Sequence, residues 1–193
     1  MRNTIFGLAS LVVAGFALAG CGEQAAPEFA KDAAMSDLYE IEAGRIAAEK
    51  GQSDAVRSYG QKMVDAHSKT SDELKQIVQA EKIDVKLPTD LDAAHRDMIE
   101  ELNDADPSEF DEEYAEQQVD AHQAAADIFE EYSEDGDKGA LKDFAAKTLP
   151  VIQGHLEEAK QLEEQASKAE ETKGAGGTSD QGGETPPSTD SMQ

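Results

Sequence analysis

Residues 53–82, SDAVRSYGQKMVDAHSKTSDELKQIVQAEK, decide the fold class of this chain. Their apolar and small polar side chains recur at steps of three and four, which keeps them on one side of a helix with 3.6 residues per turn. The stretch opens at Ser53 and continues to about Lys82. It predicts a long amphipathic helix with an inner stripe of Val56, Tyr59, Met63, His67, Thr70, Leu74 and Ile77.

Two helical patterns flank this stretch. Residues 29–50 predict a first helix, which Gly51 can close, and the residues near one of its faces are Leu38, Ile41, Arg45, Ile46 and Ala48. Residues 83–89 contain Pro88 and predict a loop. A shorter helix follows it, with apolar or inward positions at Leu91, His95, Met98, Ile99 and Leu102.

Two more long helices complete the pattern. The sequence Asp106-Pro107-Ser108-Glu109 predicts a helix start, since Asp can cap, Pro suits the first turn and Glu completes a capping box. This helix continues to about Ser133, with a stripe of Phe110, Tyr114, Gln118, His122, Ala125 and Phe129. The last helix, residues 140–169, contains Pro150, which predicts a kink. Its stripe is Leu141, Phe144, Thr148, Ile152, His155, Ala159 and Leu162.

These patterns predict an all-α domain over residues 28–168, most simply an antiparallel four-helix bundle with one extra short helix. No segment shows the alternation of period two that is typical of strands. Residues 169–193 end in Gly, Ser, Thr, Pro and acidic residues without apolar periodicity, so they predict a disordered tail.

The beginning of the chain is typical of a bacterial lipoprotein signal. Arg2 precedes an apolar run, which is too short to span a membrane, and Leu18-Ala19-Gly20 leads to Cys21, the only cysteine. We expect residues 1–20 to be a cleaved signal peptide, Cys21 to be lipidated and residues 21–27 to be a tether. Because Gly22 rather than Asp follows the cysteine, we expect an outer-membrane lipoprotein facing the periplasm if the source is Gram-negative.

Composition excludes several classes of function. The chain has 42 acidic and 17 basic side chains and a formal charge of −25, so it repels nucleic acid and anionic lipid headgroups. We therefore expect membrane attachment through the lipid on Cys21 and no nucleic-acid partner. No second thiol, nucleophile elbow, phosphate-binding glycine loop or dinucleotide motif is present, so the sequence does not favour an enzyme.

Three histidines on separate long helices form the candidate site. Tyr59 to His67 (YGQKMVDAH) and Tyr114 to His122 (YAEQQVDAH) match as an internal repeat, and His155 lies on the inner stripe of the last helix. Imidazole is a good ligand for Zn, Cu or Fe, and bundle cores build metal sites from facing helices. The first helix offers Glu40 and Glu42 as a further ligand, of which Glu42 is favoured because it lies one turn from Ile46.

A second interpretation of these histidines needs no metal. A partly buried imidazole can simply donate to or accept from a neighbouring Tyr, Gln or carboxylate. His95, on the short helix, is expected at the surface or rim, and Asp65 and Asp120 are expected on solvated faces.

Several segments together resemble one known family. They are Asp37-Leu-Tyr-Glu-Ile-Glu-Ala-Gly-Arg-Ile-Ala, Met63-Val-Asp-Ala-His67-Ser-Lys, Phe110-Asp-Glu-Glu-Tyr114, Val119-Asp-Ala-His122, and Leu149-Pro150 with His155-Leu156. Over residues 30–162 the chain resembles the bacterial domain of unknown function 4142, a family of exported helical proteins often labelled outer-membrane proteins. The resemblance implies a ferritin-like bundle and no established activity.

The chain departs from the di-iron pattern of ferritin-like proteins. Such sites use Glu-x-x-His on two helices, whereas Val64, Val119 and Ile152 stand three residues before the three histidines. If a metal binds, we therefore expect a single histidine-rich site made by His67, His122, His155 and Glu42. Two hypotheses remain: a non-enzymatic envelope module that binds a protein partner, and a metal-binding or redox protein.

Overall fold

A computed structural model describes residues 25–175. Within that range the chain forms helices and no strand, which confirms the all-α prediction. The leader of residues 1–20, Cys21 and the part of the predicted tail beyond residue 175 lie outside the described residues. The elements are α1 (Ala26–Lys50), α2 (Asp54–Ala80), α3 (Ala93–Asp104), α4 (Phe110–Asp135) and α5 (Gly139–Ala175).

The four long helices pair as two antiparallel hairpins. α1 packs along α2, and α4 packs along α5. Between the hairpins, Lys62 Nζ lies 2.6 Å from Glu158 Oε1 and Lys147 Nζ lies 2.7 Å from Glu73 Oε1, so α2 and α5 are also antiparallel. The connection over residues 81–109, which includes α3, therefore crosses the bundle and lets α2 and α4 run in the same direction.

The hairpin between α1 and α2 is held by backbone and capping bonds. Gly51 N–H donates to Ala47 O at 2.9 Å and ends α1 where the sequence predicted. Ser53 is the N-cap of α2, and its Oγ accepts from Val56 N–H at 3.2 Å. The carboxylate of Asp111, on α4, accepts from the N–H groups of Gln52 and Ser53 at 2.7 and 2.8 Å. These two hydrogen bonds tie the first hairpin to the start of the second.

Two helix boundaries differ from the prediction. α4 begins at Phe110 without a side-chain cap, because residues 107–109 form a turn in which Asp106 O accepts from the N–H groups of Glu109 and Phe110. The predicted capping box is therefore wrong. α5 continues through the exposed Pro150 and reaches Ala175, so the helical domain extends beyond residue 168.

The predicted inner face of α1 is also wrong. Its buried residues are mainly small, whereas Leu38 and Ile46 are only partly buried and Arg45 is exposed. The reason is close packing against α2: a Cβ on Gly44 would lie 2.7 Å from Gly60 O, so bulkier side chains cannot enter this crossing. The buried residues of α1 are Ala26, Phe29, Ala30, Ala33, Ala34, Asp37, Tyr39, Glu40, Ala43, Gly44 and Ala47.

The interior has an apolar end and a polar middle. At the apolar end, Phe29 stacks on Tyr132 with ring centroids 4.0 Å apart and meets Phe129 edge-on at 5.1 Å. Leu74, Leu141 and Phe144 also belong to this cluster. The polar middle, described below, separates it from a second apolar cluster around Met63, Tyr114 and Leu162. Among residues 25–175, no helix combines the length and apolar character needed to cross a membrane.

Candidate metal centre

Three imidazoles from three helices meet in the polar middle of the bundle. His67 comes from α2, His122 from α4 and His155 from α5, and their exposed fractions are 5, 1 and 4%. Their ring centroids are 5.5 to 5.8 Å apart. One nitrogen of each ring can be chosen such that all three lie within 4.8 Å of one another. We call these residues, with Asp37, the histidine layer.

Asp37, on α1, orients His67. Its Oδ1 lies 2.8 Å from His67 Nδ1 and also accepts from Thr70 Oγ1 at 2.7 Å. Burial raises the pKa of Asp37. Burial also opposes protonation of His67, but the hydrogen bond to Asp37 and the charge of Glu40 outweigh it and raise the pKa of His67. Because Nδ1 is bonded to Asp37, Nε2 is the nitrogen of His67 that has no hydrogen-bond partner.

A backbone carbonyl orients His122. Its Nδ1 donates to Gln118 O at 2.9 Å and lies 3.6 Å from Glu40 Oε1. Burial lowers the pKa of His122, which favours the neutral ring. With the proton on Nδ1, the lone pair is on Nε2, and that atom is buried without a hydrogen-bond partner.

No hydrogen bond orients the ring of His155 through its buried nitrogen. Its Nδ1 has no hydrogen-bond partner, and burial followed by the charges of His122 and His67 lowers the pKa of His155 to about 3. The ring is therefore neutral at physiological pH and can offer a lone pair. The helix around it is fixed by Tyr59, whose hydroxyl donates to His155 O at 3.0 Å.

The geometry fits a transition-metal ion. A metal at about 2.0–2.1 Å from three imidazole nitrogens requires nitrogen separations of roughly 3.3–3.6 Å. One nitrogen of each of the three rings lies within 4.8 Å of the others, which is close to this requirement. Metal-binding histidines usually hold their other nitrogen in a hydrogen bond to a carboxylate or carbonyl, as His67 and His122 do with Asp37 and Gln118.

The prediction that Glu42 supplies the carboxylate ligand is wrong. Its side chain is exposed and lines a surface pocket with Leu38 and Arg96, so it cannot reach the three histidines. The buried glutamate of α1 is Glu40, with 1% exposed. The error follows from the wrong inner face of α1, since two residues along a helix are about 200° apart. Glu40 borders His122 but does not join the group of three mutually close ligand atoms.

Sequence reasoning placed the other candidates correctly. His95 is half-buried on α3, where its Nδ1 lies 2.8 Å from Asp92 Oδ1, and Asp65 and Asp120 are exposed. The same reasoning missed Asp37 as the hydrogen-bond partner of His67. The available signal was the inward spacing of Asp37 and Glu40 among alanines, at steps of three and four.

Unpartnered polar atoms mark the polar middle. Over residues 25–175, seven buried side-chain atoms have no hydrogen-bond partner. They are Glu40 Oε2, His67 Nε2, Tyr114 Oη, Gln118 Oε1 and Nε2, His122 Nε2 and His155 Nδ1. Buried polar atoms are almost always satisfied in folded proteins, by protein groups or by ordered water, so this concentration makes the polar middle the candidate site of the bundle.

The comparisons with known proteins define the family. No curated protein and no solved structure is significantly similar to the chain. One family model matches residues 14–162, which is most of the chain and includes all three histidines and Asp37. The protein therefore belongs to the family described as Domain of unknown function (DUF4142).

Proposed function

We propose that this protein binds one divalent transition-metal ion, of the Zn, Cu or Fe class, through His67, His122 and His155. The observation that carries the proposal is that three buried imidazoles, each with an unpartnered buried nitrogen, offer ligand nitrogens within 4.8 Å of one another. Packing alone does not account for it, because each unpaired buried nitrogen costs about 1–3 kcal/mol.

The ligand type selects the class of metal. Neutral imidazoles suit Zn, Cu and Fe, whereas Mg²⁺ and Ca²⁺ prefer shells made of oxygen. Charge supports a divalent ion as well. The two buried carboxylates, Asp37 and Glu40, lie beside the histidines and balance a charge of +2 in a region with low dielectric constant.

Metal analysis of the purified protein tests the proposal. The full chain is prepared without a histidine tag and with Cys21→Ser, so that the thiol does not bind metal. We expect one equivalent of Zn²⁺ or Cu²⁺ by mass spectrometry after dialysis. His122→Gln should lose this metal, whereas His95→Gln, which changes a histidine outside the layer, should keep it.

Two outcomes would overturn the metal site. One is the absence of any stoichiometric metal after incubation with Zn²⁺, Cu²⁺ and Fe²⁺. The other is equal metal content in the wild type and in a His122→Gln protein whose circular dichroism shows a folded helical domain.

We also propose that the domain acts at the cell envelope, anchored by lipid on Cys21. Support comes from the sequence around Cys21 and from the start of α1 at Ala26, which leaves only residues 22–25 between the lipid and the first helix. Metabolic labelling with a radioactive fatty acid should mark the wild type and not Cys21→Ser. Label retained by the variant would contradict the anchor. Binding of a protein partner stays a prediction from the sequence.

A further inference from the structure

The seams between neighbouring helices are closed in different ways around the histidine layer. At the α1–α2 seam the backbones are in contact, since a Cβ on Gly60 would lie 2.6 Å from Gly44 O. Part of the α1–α4 seam is covered by α3, whose His95 ring lies 5.4 Å from the ring of Tyr39. The α2–α5 seam is instead bridged by exposed ion pairs.

These two ion pairs set the antiparallel register of α2 and α5. Lys62 Nζ lies 2.6 Å from Glu158 Oε1, and Lys147 Nζ lies 2.7 Å from Glu73 Oε1. Glu73 follows Lys62 by 11 residues, and Lys147 precedes Glu158 by 11 residues, so one register holds along the seam. Eleven residues are close to three helical turns, which places both pairs on the same edges of the two helices.

The same register sets two small residues opposite each other between the ion pairs. Ala66 lies four residues after Lys62, and Gly154 lies four residues before Glu158. A Cβ built on Gly154 would have no atom of another helix within 4 Å among the described residues. We call this opening between Ala66 and Gly154 the α2–α5 window.

The window lies beside two of the three proposed metal ligands. Ala66 directly precedes His67, and Gly154 directly precedes His155. The ring centroids of these histidines are 5.8 Å apart across the seam, and the Tyr59 hydroxyl of α2 donates to His155 O. Because consecutive residues differ by only about 1.5 Å along a helix axis, the window and the two imidazoles share a level of the bundle.

We propose that the metal ion enters and leaves the histidine layer through the α2–α5 window. This inference rests on the proposed metal site. At the window, a methyl group and a glycine stand between the two ligand-bearing helices, whereas passage at the α1–α2 seam would have to separate backbones that are in contact.

The ion pair at the rim of the window acts on an approaching cation. The side chains of Lys62 and Glu158 are half-exposed. After burial, the charge of Lys62 is among the causes that lower the pKa of both His122 and His155, so this charge acts on the ligands themselves. Glu158 therefore attracts an incoming metal ion, and Lys62 repels it.

Stopped-flow measurement of Zn²⁺ exchange tests the route, with the untagged full chain carrying Cys21→Ser and a fluorescent zinc indicator. Gly154→Leu, in which the new residue also suits a helix, should slow uptake and release alike, by about tenfold or more at unchanged Kd. Ala66→Leu should act in the same direction from the opposite wall. Gly139→Leu is the control, because Gly139 also has open space at its Cβ position but lies at the start of α5.

The role of the rim is tested by removing one positive charge. Lys62→Gln should speed Zn²⁺ uptake several-fold at low ionic strength, and this gain should shrink as salt screens the charges. Lys147→Gln makes the same change of net charge in the pair that lies about two turns from Gly154, and its uptake rate should match the wild type.

Each proposal has its own contradicting outcome. Equal exchange rates in Gly154→Leu, Ala66→Leu and Gly139→Leu would overturn the window as the route. Slow exchange in Ala124→Leu alone would place the route at the cavity between α1 and α4, which Ala124 lines. Equal uptake by Lys62→Gln and Lys147→Gln would overturn the role of the rim, whereas failure of the wild type to bind any metal would overturn the proposed function itself.

Discussion

The apolar end and the polar middle of the bundle are built from the same four helices, but they differ in whether their buried polar atoms have hydrogen-bond partners. At the apolar end, aromatic rings pack on one another, and the buried Tyr132 hydroxyl donates to Asp137 at 3.1 Å. In the polar middle, all seven unpartnered buried atoms of the described residues are concentrated in six side chains. The first region therefore stabilises the fold, and the second contains the unpartnered polar groups on which the proposed metal site rests.

This contrast indicates where a functional site can be sought in the bundle. Hydrophobic burial gives the net stability of such a domain, and unsatisfied buried polar groups subtract from it. A region that subtracts from stability and is surrounded by packed layers on both sides indicates a ligand. Four experiments test the contrast between the apolar end and the polar middle.

Truncation at the apolar end should have the largest effect. Phe29 is fully buried and touches the rings of Phe129, Tyr132 and Phe144. Phe29→Ala should lower the free energy of unfolding by about 3–5 kcal/mol, measured by urea denaturation. Val151→Ala is the control, because Val151 is 48% exposed and should change stability by less than about 0.5 kcal/mol. A cost for Phe29→Ala as small as that of the control would show that this end is not the stabilising core.

Metal should restore stability to the polar middle. A ligand at about a hundredfold its Kd stabilises the folded state by about 2.7 kcal/mol, which corresponds to a rise in Tm of about 5–10 °C for a domain of this size. We expect this shift with Zn²⁺ for the wild type and for His95→Gln in differential scanning calorimetry. His155→Gln should lack it. A shift of equal size in all three proteins would place zinc binding outside the histidine layer.

Removing a polar group from the middle should stabilise the metal-free protein. Glu40 is a buried carboxylate with one unpartnered oxygen, and apolar replacement of such groups is often neutral or favourable. We expect Glu40→Leu to raise the free energy of unfolding by about 1–3 kcal/mol in the presence of a chelator, measured in urea. Glu42→Leu, at an exposed position on the same helix, should change it little. Marked destabilisation by Glu40→Leu would show that this carboxylate supports the fold.

Alkaline pH should give the smallest effect, at the apolar end. Burial and then Asp137 raise the pKa of Tyr132 to about 12, whereas an unfolded tyrosine titrates near pH 10. Because the folded-state pKa is the higher one, the unfolded chain loses its proton first. The contribution of Tyr132 is therefore complete below pH 10 and is lost as the pH rises through about 12.

The measurement compares the wild type with Tyr132→Phe. The variant loses the hydrogen bond to Asp137, so it should be less stable at neutral pH. Between pH 10 and 12, the stability of the wild type should fall relative to the variant, because the unfolded wild-type chain loses the Tyr132 proton first. If the difference in free energy of unfolding between the two proteins stays constant over this range, the pKa of Tyr132 is the same in the folded and unfolded states.

The helices and their histidines could be read from the sequence because both depend on local periodicity. Steps of three and four place His67, His122 and His155 on the apolar stripes of their helices, and each stripe has to face the interior. Short motifs around these residues also predicted the family to which the chain belongs. The start of α4 was less predictable, because its first turn is fixed by backbone bonds to Asp106 rather than by the expected cap.

The inward face of α1 and the residues that share a level along the bundle depend on packing between helices, which the sequence pattern does not contain. Glycines at the crossing of α1 and α2 admit close backbone approach, and this contact rotates Asp37 and Glu40 inward while Glu42 faces solvent. Helical periodicity is a property of each segment alone, so it is enough to predict that each helix buries one stripe of side chains. The register between helices depends on contacts between residues far apart in the chain, and these contacts set the three imidazoles against one another.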